Sequence, residues 1–171
     1  MKIFVASDIH GSIGVANMII DKFKDVGADK LLLLGDVLYH GPRNDLPLDY
    51  EPKKVIELLN NNKEVILAVR GNCDTEVDQM VLDFPIMADY IYIISGDKTI
   101  FATHGHHYNP ECPPKMLNKG DILLTGHTHI ACDIEYENFR YMNPGSPTIP
   151  KNNTKPSYII IEDGNVSLHE F

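Results

Sequence analysis

The segment Ile3-Phe4-Val5-Ala6-Ser7-Asp8-Ile9-His10 decides the reading of this chain. Its unbroken apolar run suits a strand buried on both faces. The run passes directly into an aspartate and a histidine two positions apart, so on an extended backbone both side chains point the same way. The same succession recurs along the chain. Leu31-Leu32-Leu33-Leu34 leads into Gly35-Asp36, and residues 65–69 lead into Arg70-Gly71-Asn72-Cys73-Asp74. Residues 99–103 lead into His104-Gly105-His106, and Leu123-Leu124-Thr125 into Gly126-His127-Thr128-His129. Side chains of metal-ligand type, namely Asp8, His10, Asp36, Asn72, His104, His127 and His129, are thereby delivered to the ends of expected strands.

Between the first two runs, Ala16, Ile19, Ile20, Phe23 and Val26 fall at helical spacing, and Gly27 can end that helix. Val55, Ile56, Leu58 and Leu59 mark a second helix, with Pro52 suited to its first turn and Asn60-Asn61-Asn62 to its end. A third helix is expected over residues 74–82, capped by Asp74 or Thr75. The second half is richer in strands. Residues 90–94 and 99–103 flank the hairpin signal Ser95-Gly96-Asp97, followed by strands at 122–125, 130–136 and 140–142. Two last strands, 158–161 and 166–170, enclose the turn Glu162-Asp163-Gly164-Asn165. This order predicts an α/β fold, a two-sheet β-sandwich flanked by helices in four layers, formed as a single domain by residues 1–171. The irregular, proline-bearing loop 36–52 starts at a candidate ligand and is expected to wall the site.

Ligand chemistry narrows the function. A carboxylate can bridge two ions, which imidazole cannot. Mixed nitrogen and oxygen donors suit two divalent ions such as Mn²⁺, Ni²⁺, Fe or Zn²⁺, and suit Ca²⁺ poorly. In open α/β sheets ligands gather at the carboxyl ends of strands, where every motif lies.

Taken together, Asp8-x-His10, Gly35-Asp36, Gly71-Asn72, His104 and Gly126-His127-x-His129 resemble the calcineurin-like metallophosphoesterases over roughly residues 1–148. The stretches 35–44, 70–74 and Asn143-Pro144-Gly145-Ser146 look like the YfcE-type phosphodiesterase group within that superfamily. The resemblance implies one ion held by Asp8, His10, Asp36 and His129, and a second by Asp36, Asn72, His104 and His127. It implies hydrolysis of a small phosphoester, most readily a diester, by a hydroxide bridging the two metals, without a covalent phospho-enzyme. The catalytic set is then Asp36, Asn72, His104, Cys73 and His106. Most of the wider family carries histidine at the place of Cys73, resembling a general acid for the leaving oxygen. A neutral thiol is a weak proton donor, so rate should depend steeply on the leaving group. A space-filling role for Cys73 stands equally open. His106 can touch substrate, orient a ligand or simply be solvated. Arg43 can fork to phosphate or form a structural ion pair, and Asp74 is read as structural.

Composition bounds the alternatives. The formal net charge is −9, with no basic stripe, which argues against long nucleic acid. Two divalent cations would nevertheless outweigh Asp8 and Asp36 and create a local positive spot. No apolar run approaches the ~20 residues of a membrane span, and the N-terminus reads as a strand rather than a signal peptide. Three widely spaced cysteines fit reduced thiols, so a cytoplasmic protein, with homo-oligomerisation possible, is expected. The competing readings are a non-catalytic protein-interaction scaffold of the same fold, and a nuclease or phosphomonoesterase.

Overall fold

The first three apolar runs form β1 (Lys2–Ala6), β2 (Lys30–Leu33) and β3 (Ile66–Ala68) in the computed structural model, which describes residues 1–171. The three strands lie parallel, with Phe4 opposite Leu31 and Leu31 opposite Ile66. Leu31 and Leu33 pack toward the helices, while Leu32 and Leu34 pack toward a second sheet. Both faces are therefore buried, which explains why the run does not alternate with polar residues. Residue 65 falls in a short 3-10 turn, Lys63–Val65, so β3 starts one residue later than the apolar run.

Helix α1 (Ile13–Asp25) starts at Ser12, whose Oγ accepts the Val15 N–H at 3.2 Å. It buries Ala16, Ile19, Ile20 and Phe23 and ends at Gly27 in the left-handed region, φ +62°. Helix α2 (Pro52–Asn60) opens on proline and buries Val55 and Leu59. Helix α3 (Glu76–Val81) is shorter than the expected 74–82. Thr75 caps it, its N–H and hydroxyl donating to the Asp78 carboxylate at 2.7 and 2.9 Å. Asp74 is turned inward and serves a different purpose, described below.

The second sheet contains β4 (Tyr90–Ser95), β5 (Lys98–Thr103), β6 (Ile122–Leu124), β7 (Ala131–Glu135) and β8 (Arg140–Pro144), in the order β4-β5-β6-β8-β7. Strand β7 is shorter than the expected 130–136, and β8 runs two residues past 142. Strands β9 (Ser157–Glu162) and β10 (Asn165–Glu170) return to the first sheet, giving the order β10-β9-β1-β2-β3. Their turn residues Asp163 and Gly164 both have positive φ, 48° and 81°, as a type I′ hairpin requires.

Helices α1 and α2 cover the outer face of the first sheet, and Ile3, Val5, Leu32, Ile100, Leu124 and Met142 fill the space between the sheets. The outer face of the second sheet is covered by irregular chain instead. Leu117 and Tyr108 pack there against Phe101, Leu123 and Tyr141. The fourth layer is thus a loop segment rather than helix. Strands β5, β6 and β8 are parallel to one another, as are β1, β2 and β3. The carboxyl ends of both parallel sets meet at one edge of the sandwich.

Candidate metal centre

Asp8 and His10 leave β1, Asp36 leaves β2, Asn72 follows β3, His104 follows β5, and His127 and His129 follow β6. Five of these seven turn sharply: Asp8, His10, Asp36, His127 and His129 have φ of 56°, 49°, 53°, 67° and 61°. Non-glycine residues seldom adopt this region, and each instance costs roughly 1–3 kcal/mol. The strain is concentrated where side chains must double back from strand ends into a common space.

Those side chains converge. His10 Nε2 lies 3.1 Å from His129 Nε2, and His104 Nε2 lies 3.1 Å from Asn72 Oδ1 and 3.2 Å from His127 Nδ1. The Asp36 carboxylate sits between the two groups, its Oδ2 3.8 Å from His10 Nε2 and 3.5 Å from His104 Nε2. Ligand atoms of Asp8, His10 and His129 lie within 4.8 Å of one another, as do those of Asp8, Asp36 and His104.

The donor set fits divalent cations. His10 Nδ1 donates to Tyr39 O at 2.7 Å, His104 Nδ1 to Leu34 O at 2.7 Å, and His129 Nδ1 to Ile149 O at 3.0 Å. A carbonyl only accepts, so each of these nitrogens carries its proton and turns Nε2 inward, as metal-binding histidines do. At most one of the facing His10 and His129 Nε2 atoms can hold a proton against the other's lone pair. Asp8 Oδ2 accepts from Ser7 Oγ at 2.5 Å and from the His127 N–H at 3.0 Å. Asp8 Oδ1 is buried with no hydrogen-bond partner and points into the same space. An orphaned buried carboxylate oxygen beside facing imidazole nitrogens is a site that needs positive charge.

Protons and metals compete for that need. Burial opposes ionisation of Asp8, but the imidazoles of His10 and His129, 3.6 and 3.3 Å from its Oδ1, and the charge on His104 hold its carboxyl well below the usual range. Asp36 is likewise lowered, burial being outweighed by His104. Burial alone would lower His104, yet Asp36 and Asp8 push it up from 6.5 to about 9. His127 is lowered, by burial and by the charge on His104. A histidine raised in the folded state stabilises the fold fully below its ordinary value, and that contribution fades as pH rises through the raised one. A metal at Nε2 must displace this proton. Mn²⁺ binding should therefore release protons, and its apparent affinity should rise between pH 6.5 and about 9. Calorimetry in buffers of different ionisation heat checks this; binding without proton release contradicts it.

Sequence reasoning named Asp74, Asn143 and Ser146 without showing that they hold the loops. Asp74 accepts the backbone N–H groups of Asp36, Val37 and Gly71 at 2.8, 2.9 and 2.7 Å, tying two ligand loops together. It does not cap α3. Asn143 Nδ2 donates to Gly126 O at 2.7 Å and Thr128 Oγ1 at 3.1 Å. Ser146 Oγ donates to Asp8 O at 2.8 Å. A buried asparagine within β8 and a serine just after it were the available signal.

A cavity of about 390 Å³ opens over the centre, lined among others by Asp36, Asn72, Cys73, His127 and His129. The loop 36–52 walls it through Gly41, Pro42, Arg43 and Asn44, and Lys151, unnoticed in the sequence, lines it as well. Cys73 donates its backbone N–H to Asp36 Oδ1 at 2.8 Å, and Asn72 Nδ2 donates to its Sγ at 3.2 Å. Burial, then the charge of Asp36, pushes the Cys73 thiol up to about 12. His106 packs its ring 5.3 Å from that of His104 and hydrogen bonds to none of the candidate ligands. Burial and neighbouring histidines push it down to about 4, so it is neutral at physiological pH.

Two sheets whose strand ends pool aspartates, histidines and an asparagine around a charge-demanding cavity define a metal-dependent phosphoesterase architecture. The chain belongs to the calcineurin-like phosphoesterase superfamily, whose domain model matches residues 1–165. It is 45% identical over 168 residues to Phosphodiesterase YfcE of Escherichia coli K12, covering 98% of this chain and 91% of that protein. The solved structure of E. coli YfcE, a phosphoesterase, matches with a TM-score of 0.95 at 44% identity, covering 99% of this chain and 93% of the other. Vacuolar protein sorting 29 of Cryptosporidium parvum shares the fold, with a TM-score of 0.61 at 20% identity over 99% of this chain and 97% of its own.

Proposed function

We propose that this chain is a phosphodiesterase that works with two divalent cations and takes small substrates. Asp8, His10, Asp36 and His129 would hold one ion, and Asp36, Asn72, His104 and His127 the other. The observation that carries this reading is Asp8 Oδ1, buried without a partner beside the facing imidazoles of His10 and His129. The nitrogen and oxygen donors suit Mn²⁺ first, with Ni²⁺, Fe or Zn²⁺ as alternatives. Bound cations would supply Lewis acidity toward the phosphoryl oxygens and an acidified water.

The protein's own groups do the rest. Asp36 aligns the two halves of the site through its central carboxylate. Asp74 fixes the loop carrying Asp36 against the loop carrying Asn72. Arg43 and Lys151, at the mouth of an otherwise acidic protein, draw the phosphate inward. Cys73 stands where a proton donor is wanted, yet a thiol held at about 12 is a poor acid for an alkoxide. Leaving groups that need no proton are therefore favoured. The cavity volume and the negative net charge favour a small ester over a polynucleotide, and the reduced cysteines favour the cytoplasm. Residues 1–171 act as one domain.

With Mn²⁺, bis-p-nitrophenyl phosphate should be hydrolysed well, and single-stranded DNA poorly at physiological salt. Across aryl diesters the rate should fall steeply, approaching tenfold per unit of leaving-group pKa. A flat dependence contradicts the assignment of Cys73 as a non-donor. Full metal binding with no turnover of any diester or monoester contradicts the enzymatic reading.

A further inference from the structure

Cys73 lines two cavities. One is the polar mouth above the candidate metal centre; the other is a groove of about 370 Å³ bounded by Tyr39, Tyr50, Ile56, Val77 and Val81. We propose that this groove seats the leaving group of the diester and selects an uncharged, ring-bearing alcohol. The inference rests on the phosphodiesterase reading of the same site and specifies its substrate class.

Position is the first argument. Cys73 Sγ lies within 4.8 Å of ligand atoms of His10 and Asp36, so the groove begins at the centre itself. Its walls are built from the parts that orient His10. The Tyr39 carbonyl accepts the His10 Nδ1–H at 2.7 Å, and the Tyr50 ring lies against Gly11, where a Cβ would overlap it. Cys73, with its small thiol, is the residue common to the linings of both cavities.

Chemistry is the second argument. Most of the lining is hydrophobic, and Lys53 and Asp78 on it offset each other's charge. Such a groove offers no net positive charge to a second phosphate and accepts an apolar body. A closed cavity of roughly 150 Å³ suffices for benzene, so this open groove has room for a substituted or fused ring. Tyr39 and Tyr50 offer ring faces and edges for stacking. Val77 and Val81 are 67% and 43% exposed, leaving them unpartnered in the free protein. The polar mouth, with Arg43 and Lys151, is left for the retained phosphate and its other substituent.

The test compares binding of two diester analogues whose scissile ester oxygen is replaced by CH₂, so that no P–O bond to that group can break. One carries a phenyl group at that position (the phenyl ester) and the other a methyl group (the methyl ester). Both are titrated into the Mn²⁺-loaded protein by calorimetry, alongside turnover of bis-p-nitrophenyl phosphate. The unaltered protein should bind the phenyl ester at least tenfold more tightly. Val77→Asp and, separately, Val81→Asp should abolish that preference while leaving methyl ester affinity and metal content unchanged. Met80→Asp, on the same helix but 83% exposed and outside the groove, should leave the preference intact. Equal affinities for the two esters in the unaltered protein, or a preference that survives both valine substitutions, overturns the proposal. So does a groove sealed by a second copy, seen as Val77→Asp converting an oligomer to monomer with no aryl preference beforehand. Tight, groove-dependent phenyl ester binding without turnover of any diester would defeat the phosphodiesterase reading and the leaving-group role with it, while showing that the groove does bind an uncharged ring.

Discussion

Replacing Asp36 with alanine should reduce diester hydrolysis by a factor on the order of 10³ or more, through loss of metal rather than loss of fold. Asp36 is central in both halves of the site. Its Oδ2 faces His10 and His104 across 3.8 and 3.5 Å, and its Oδ1 accepts the Cys73 N–H at 2.8 Å. Alanine removes the negative charge that would face both ions and frees the backbone of residue 73. It also places a residue other than aspartate in the left-handed region, at a cost of about 1 kcal/mol. That penalty is small beside the 5–15 kcal/mol that holds a typical domain. Asp36→Asn separates the effects, because it keeps the shape and an acceptor for Cys73 while removing the charge. Both variants should lose bound metal after gel filtration and should melt cooperatively. Retention of two ions with unaltered turnover in either variant removes Asp36 from the bridging position.

Gly71→Ala should destabilise the protein by about 3 kcal/mol, roughly 6–12 °C in melting temperature. It should also impair hydrolysis, although residue 71 ligates nothing. A Cβ at Gly71 would overlap the Asp36 carboxylate and its backbone nitrogen, and a Cβ at Gly35 would overlap the backbone of Gly71. The two loops lie back to back, and their approach is close enough for Asp74 to accept N–H groups from both. A methyl group wedged there pushes Asp36 toward the cavity and strains the Asp74 contacts. Thermal melting and metal content read both consequences. A melting temperature within a degree of the unaltered protein's would show that the loops separate freely, against this description of the site.

The apolar run of Leu31 to Leu34 was legible because burial on both faces leaves no room for alternation. The candidate ligands were legible as a set because each follows such a run. Left-handed backbone at Asp8, His10, His127 and His129 was not legible. It is imposed by convergence from two sheets, which no local pattern encodes. Asp74 looked like a helix cap because Cys73-Asp74-Thr75 precedes an acidic helical start. Its three acceptor contacts come from segments distant in sequence or from a turn, and Thr75 takes the cap. The loop that covers the second sheet in place of a helix has only Leu117 and Tyr108 as anchors, too few to show a period. Lys151 enters the site from a connection without any motif.

The most direct test of a two-cation phosphodiesterase is a titration of metal-free protein with Mn²⁺ while hydrolysis of bis-p-nitrophenyl phosphate is followed. Activity should be absent at the start and should reach its plateau at two ions per chain. Undiminished hydrolysis in the presence of a chelator, or a plateau at a single ion per chain, would contradict the account.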